Sequence, residues 1–212
     1  MCSGRVDLAF VLRALSNGAD GVFIGGCHLG DCHYSTHGNH HALNMVLLVQ
    51  KIMAHIGLNP ERLRLESVSA GEGIRFAEVA NEFGMAVKNL GPLGQGEGLS
   101  KKGLKLKLEA VTQLIPYLRV VLNERLSVHF GTVEEYKEFY AGADLDRLFR
   151  ELIADKLAMS QIMLLLREKP LSTAEISQVL GIVPSEIARH LNFSAKHGLV
   201  KYEEDLECFA VV

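Results

Sequence analysis

The chain has 212 residues, a formal net charge of −3 and 48% apolar content, enough for one ordinary domain plus a small second one around a real core. The near-neutral balance excludes a global basic field of the kind that binds nucleic acid through composition alone. No apolar run reaches the roughly 20 residues of a membrane-spanning helix, and Arg5 and Asp7 interrupt any leader-like start. Four cysteines, Cys2, Cys27, Cys32 and Cys208, are too sparse for a disulfide scaffold. These features predict a soluble, cytoplasmic protein with no membrane partner, in which close cysteines serve as metal or redox ligands.

From Val6, the residues Leu8, Val11, Leu12 and Leu15 repeat at helical spacing until Asn17-Gly18 stops the pattern. "GVFIGG" (21–26) reads as a short strand of a parallel sheet, and a helix is predicted over 42–56. "RLRLESVS" (62–69) alternates as a strand. Ser69 and Glu72 have capping-box spacing ahead of a helix whose buried stripe is Phe76, Val79, Phe83, Val87 and Leu90. The same "SAGEG" turn lacks a dinucleotide fingerprint and is read as a helix cap, not a phosphate cradle. Alternating helices and strands predict an α/β, three-layer parallel-sheet domain with its ligands beyond the strand C-termini. Residues 1–4 look like the tail of an earlier strand, and two strands are too few for a sheet. The expectation is a domain truncated at its N-terminus.

"GPLGQGEGLSKKG" (91–103) has no apolar periodicity and reads as a flexible linker. The predicted organisation is an iron-sulfur-type domain at 1–91, a Gly-rich linker at 92–103, a helical segment at 104–156 and a winged helix-turn-helix domain at 157–212. In the helical segment, a bend is expected at Pro116 and a capping box at Thr132/Glu135. In the last part, Ser172/Glu175 cap a helix, Pro184 starts another, Gly198 ends it, and a hairpin crosses the acidic turn "EEDL".

The chemistry concentrates in "GGCHLGDCHYSTHGNHH" (25–41), where two cysteines, five histidines and four glycines follow a predicted strand. Glycines let the backbone curl and aim amides at sulfur, and thiolates with such hydrogen bonds hold iron-sulfur clusters. Cys2, read as the end of a neighbouring strand, is expected to converge on Cys27 and Cys32, because adjacent parallel strands end on the same side of a sheet. Mixed Cys/His sets also bind zinc. Cys208 reads as a small core residue.

With "MCSGRVD", "GADGVFIGGCHLGDCHY", the Gly38-Asn39 pair, "PERLRLESVSAGEG" and "FAEVANEF" in order, residues 1 to about 92 resemble the delta subunit of methyl-viologen-reducing hydrogenase. The resemblance implies an iron-sulfur electron-transfer subunit with a [2Fe-2S] cluster. Its role would be to pass electrons from a hydrogenase, or another dehydrogenase, to a heterodisulfide reductase A-like flavoprotein. Cys2, Cys27 and Cys32 inherit the ligand role, with His28 and His33 beside the cluster. The family has an upstream strand and cysteine pair that this chain does not contain. The fourth ligand is therefore unassigned, and the cluster is incomplete or absent unless another segment supplies it. No catalytic residue is read. His37, His40 and His41 are expected to be solvent-exposed.

Residues 158–212 hold five Lys/Arg against seven Asp/Glu, which disfavours DNA and favours a protein-docking use of the winged helix. The competing reading is a redox- or metal-responsive winged-helix transcription regulator, with the cysteine-histidine loop as sensor.

Overall fold

The computed structural model describes residues 2–212. Of the strand tail expected at 1–4, Met1 lies outside the described residues. Ser3–Arg5 is a 3-10 turn, with Cys2 as its N-cap. Helix α1 (Leu8–Ser16) begins where the Asp7 carboxylate accepts the Ala9 N–H at 2.8 Å, and buries Leu8, Val11, Leu12 and Leu15.

Strands β1 (Val22–Gly26) and β2 (Leu63–Ser67) pair in parallel, Val22 opposite Leu63 and Gly26 opposite Ser67. Among the described residues this sheet has two strands. Adjacent β1 side chains serve opposite faces: Ile24 joins the core built with α1 and α2 (Gly38–His55), while Phe23 packs on Phe76 and Phe83 of α3 (Gly73–Leu90). Only Val79 and Phe83 of the expected α3 stripe are buried, and Phe76 remains half exposed. A two-stranded sheet is too narrow to cover an 18-residue helix. Nor does Ser69 cap α3. The helix starts after Glu72, whose carboxylate folds back to accept the Ser69 N–H at 2.6 Å.

The segment expected to be a loose linker is fastened. Gly94 and Gly98 take positive φ angles of 81° and 69°, which set Glu97 facing the fully buried guanidinium of Arg62. Arg62 Nε donates to Glu97 Oε1 at 2.6 Å and Nη1 donates to the carbonyls of Asp20 and Gly91. Burial alone would raise the Glu97 pKa, but Arg62 and the N–H groups of Asn59 and Gly94 overcome it and hold the carboxyl below its ordinary value. The glycines that signal flexibility in composition here permit close packing: a Cβ on Gly96 would lie 2.0 Å from the Leu90 carbonyl oxygen.

Helices α4 (Lys101–Gln113) and α5 (Ile115–Val121) break at Leu114 instead of bending at Pro116, which occupies the first turn of α5, where its missing N–H costs nothing. A π-helical turn (Leu122–Leu126), α6 (Val133–Ala141), α7 (Ala143–Phe149) and a second π-helical turn (Arg150–Ala154) lead into α8 (Asp155–Glu168). The Thr132/Glu135 capping box forms. Side chains from α1, α2, both strands and the helices down to Leu157 share one core.

A second core, with Ile162, Leu165, Ile176, Ile187, Leu191 and Val200, joins α8 to α9 (Thr173–Leu180), α10 (Pro184–Lys196) and the antiparallel hairpin β3 (Val200–Glu203) and β4 (Cys208–Val211). The Ser172/Glu175 box caps α9, and Gly181 ends it in the left-handed region. Among the described residues no helix is long and apolar enough to cross a membrane.

Candidate metal centre at the end of β1

The loop after β1 returns to the sheet edge because α2 begins at Gly38, four residues earlier than periodicity predicts. Gly38 sits against sulfur. A Cβ there would lie 2.2 Å from Cys32 Sγ and 3.2 Å from Cys2 Sγ. Gly4 meets the same point from the other side, where a Cβ would be 2.3 Å from the Gly38 carbonyl oxygen. Two glycines thus let the N-terminal turn and the start of α2 approach until the sulfurs of Cys2 and Cys32 stand 3.7 Å apart.

Cys32 is buried, Cys2 half-buried and Cys27 exposed. Burial would raise the Cys32 pKa, yet the backbone N–H groups of Tyr34 and Asn39, together with the Cys2 and Cys27 thiols, overcome it and bring the thiol below its ordinary value. Cys27 thus neighbours Cys32, but the three sulfurs do not all come within 4.8 Å of one another. Cys208 stands apart from these three, buried on β4 opposite Glu203, while its strand neighbours Phe209 and Val211 pack on the second core.

Asn39 shapes the loop from below, its Nδ2 donating to the His28 carbonyl at 2.7 Å and to that of Cys27 at 3.3 Å. Its Oδ1 and Ser3 Oγ are the buried side-chain atoms without a hydrogen-bond partner among the described residues. Ser3 and Asn39 line a cavity of about 40 Å³ with Gly26 and Cys27. A larger cavity, about 480 Å³, opens onto Cys2 between Arg5, Tyr34, His37 and His41.

The histidines divide. His28 turns to Glu72, Nε2 to Oε2 at 2.7 Å, tying the cysteine loop to α3. His33 is exposed and packs edge-on against Tyr34. Of the three expected in solvent, only His37 is exposed. His41 is half-buried, and His40 bonds Tyr136 Oη at 2.7 Å and stacks beside His129. Burial, reinforced by His129, lowers the His40 pKa. Tyr136 and His129, some 90 residues away in sequence, carry no signal in the sequence that would place them there.

Comparison with known proteins falls into two parts at the same places as the two ends of the chain. A family profile described as "Methyl-viologen-reducing hydrogenase, delta subunit" matches residues 1–91, and one described as "Bacterial regulatory protein, arsR family" matches 158–202. The chain is 54% identical over 91 residues to the D component, an "F420-non-reducing hydrogenase iron-sulfur subunit", of Archaeoglobus profundus, covering 43% of this chain and 66% of the relative. It is 42% identical over 101 residues to the corresponding vhc protein of Methanococcus voltae, covering 48% of this chain and 69% of the relative. A match of 46% over 94 residues links it to the A component of the "Ferredoxin/F(420)H(2)-dependent CoB-CoM heterodisulfide reductase" of Methanosarcina acetivorans, covering 44% of this chain but only 12% of the relative.

Proposed function

We propose, from the premise that the chain belongs to the methyl-viologen-reducing hydrogenase delta subunit family, that it is an iron-sulfur electron-transfer protein working between a hydrogenase or other dehydrogenase and a heterodisulfide reductase A-like flavoprotein. The observation that carries the reading is the 3.7 Å approach of Cys2 and Cys32. Two thiolates on one tetrahedral centre with bonds of about 2.3 Å stand about 3.8 Å apart, so the pair already has the spacing of two ligands on one metal. The lowered Cys32 pKa and the room left by Gly38 fit the same use.

Cys2, Cys27 and Cys32 would hold the cluster, of [2Fe-2S] type, which when bound accepts and releases single electrons. This chain's residues do the rest. Asn39 fixes the carbonyls around Cys27, Tyr34 and Asn39 direct amides at Cys32, and Ser3 Oγ is a buried hydroxyl with its donor free beside Cys27. His28 and His33 act from outside the ligand set, His28 by anchoring the loop through Glu72. The fourth ligand is assigned to a partner protein of the complex. The site lies in the cytoplasm, in a complex whose reductase partner the matched segment of the Methanosarcina acetivorans protein suggests. Residues 1–91 form the electron-transfer module. The unit at 157–212, joined through 92–103 and the helices of 104–156, is a winged-helix docking module.

The test is oxygen-free expression with the neighbouring proteins of the complex, followed by iron and acid-labile sulfide analysis and electron paramagnetic resonance. Cys32→Ser should lose the iron and Cys208→Ser should keep it. A wild-type complex with neither iron nor sulfide ends the proposal.

A second reading, a winged-helix transcription regulator, draws on the match at 158–202. Against it, the arginine of α10, Arg189, is held by Asp155, the neighbouring Phe193 is 53% exposed, and the hairpin turn is acidic. A salt-dependent affinity for duplex DNA would favour it.

A further inference from the structure

Away from the cysteine rim, a set of metal-ligating side chains gathers where α8 begins and α10 passes it. Asp155 opens α8, while Glu186 and His190 stand one turn apart on α10. The His190 side chain is only 6% exposed, and its Nε2 faces both carboxylates, 3.7 Å from Asp155 Oδ1 and 4.0 Å from Glu186 Oε1. One oxygen from each acid and this nitrogen all fall within 4.8 Å of one another. The cation now among them is Arg189. Its Nη2 donates to Asp155 Oδ1 at 2.8 Å and Nη1 to Oδ2 at 3.2 Å, and Nη2 lies 3.8 Å from Glu186 and 3.5 Å from His190 Nε2.

We propose that Asp155, Glu186 and His190 form a site for a divalent first-row ion of the zinc class, which binds by displacing the Arg189 guanidinium. Tetrahedral zinc with bonds of 2.0–2.1 Å sets its nitrogen and oxygen ligands about 3.3 Å apart. The imidazole therefore has to close on each acid by less than about 1 Å. Arg189 is the weaker occupant. It is 58% exposed and its partner Asp155 44%, an open ion pair of the kind that contributes little net. It also brings one positive charge to two carboxylates, whereas a divalent ion brings two. A nitrogen-and-oxygen set without sulfur suits zinc, cobalt(II) or nickel(II). The half-exposed acids leave an entry path, and solvent supplies the fourth position. Binding ties the start of α8 to α10 and turns the Arg189 side chain outward. The site shares no residue with the cysteine rim, so it stands whether or not a cluster forms there.

The probe is cobalt(II), titrated into the full chain and followed by absorption, because thiolate-bound cobalt gives intense near-ultraviolet charge transfer that this site lacks. With the thiol pair removed by Cys2→Ser and Cys32→Ser, the chain should show one equivalent with weak visible bands only, and the same equivalent should appear in wild type beside any thiolate signal. Asp155→Asn and His190→Gln should each weaken that equivalent about tenfold or more, while Arg189→Met should tighten it several-fold. Asp155 is half-exposed, so the first variant reads the site even if loss of the buried imidazole disturbs folding. The proposal is overturned if Asp155→Asn binds as wild type does, if wild type shows only the thiolate signal, or if Arg189→Met fails to tighten binding.

Discussion

At the cysteine rim, two backbone segments close until a single methyl at Gly38 would overlap Cys32 Sγ. In the helix-hairpin unit at 158–212, regular elements with their own caps stand around a small aliphatic core. The first region derives its geometry from contacts across long sequence separation: Gly4 on Gly38, His28 on Glu72, Arg62 on Glu97. The second derives it from local signals, a capping box, a proline in the first turn of α10 and left-handed glycines at both helix ends. Each region is vulnerable in its own way. A rim assembled from distant segments fails when one close approach is lost, whereas a locally specified unit fails through its core and merely weakens at its caps.

The largest effect should come from Arg62→Met. It leaves the mostly buried Glu97 carboxylate without its cation and should cost about 3–5 kcal/mol, measured by chemical denaturation. The same pair predicts the acid limb. Because the Glu97 pKa is depressed in the folded chain, its contribution is complete above the ordinary carboxyl value near 4.5 and disappears as pH falls through the lower folded value. A pH titration of wild-type stability should therefore lose this contribution below that point, and the Arg62→Met chain should lack that part of the slope.

Leu191→Ala empties a fully buried position in the second core and should cost about 2–5 kcal/mol. Hydrogen exchange should show the loss concentrated in α9, α10 and the hairpin, with β1 and α2 still protected. Equal loss of protection in both regions would mean that the two cores unfold as one unit. Gly38→Ala should destabilise by about 1–3 kcal/mol through overpacking. It should also reduce iron content in the oxygen-free complex far more than an alanine at Gly71, which meets nothing within 4 Å. The smallest effect belongs to Ser172→Ala, about 1 kcal/mol from the lost cap of α9, with no change in bound iron.

Several elements could be read from the chain because their causes are local. The α1 stripe, both parallel strands, the Thr132 and Ser172 boxes and the hairpin after Gly198 stand where periodicity and caps put them. The candidate ligands were also visible as residue types, Cys27 and Cys32 on one loop and Cys2 at an expected strand end that the structure replaces with a 3-10 turn. What misled was composition without contact. Glycine richness at 92–103 read as slack, but Gly94 and Gly98 shape a clasp around Arg62. Apolar spacing promised a five-residue stripe on α3, yet only two of those side chains find cover on the narrow sheet. His40 read as solvated because Tyr136, 96 positions later, gives no hint of its approach.

Helix periodicity, strand alternation and caps act within a few residues, so they settled the identity of the secondary elements and the loop that carries the thiols. The sulfur spacing, the lowered Cys32 pKa and the Asp155–Glu186–His190 gathering depend on which distant segments pack together. Those were decided by tertiary structure, because backbone contact, burial and electrostatics act through space and leave no mark at a fixed interval along the chain.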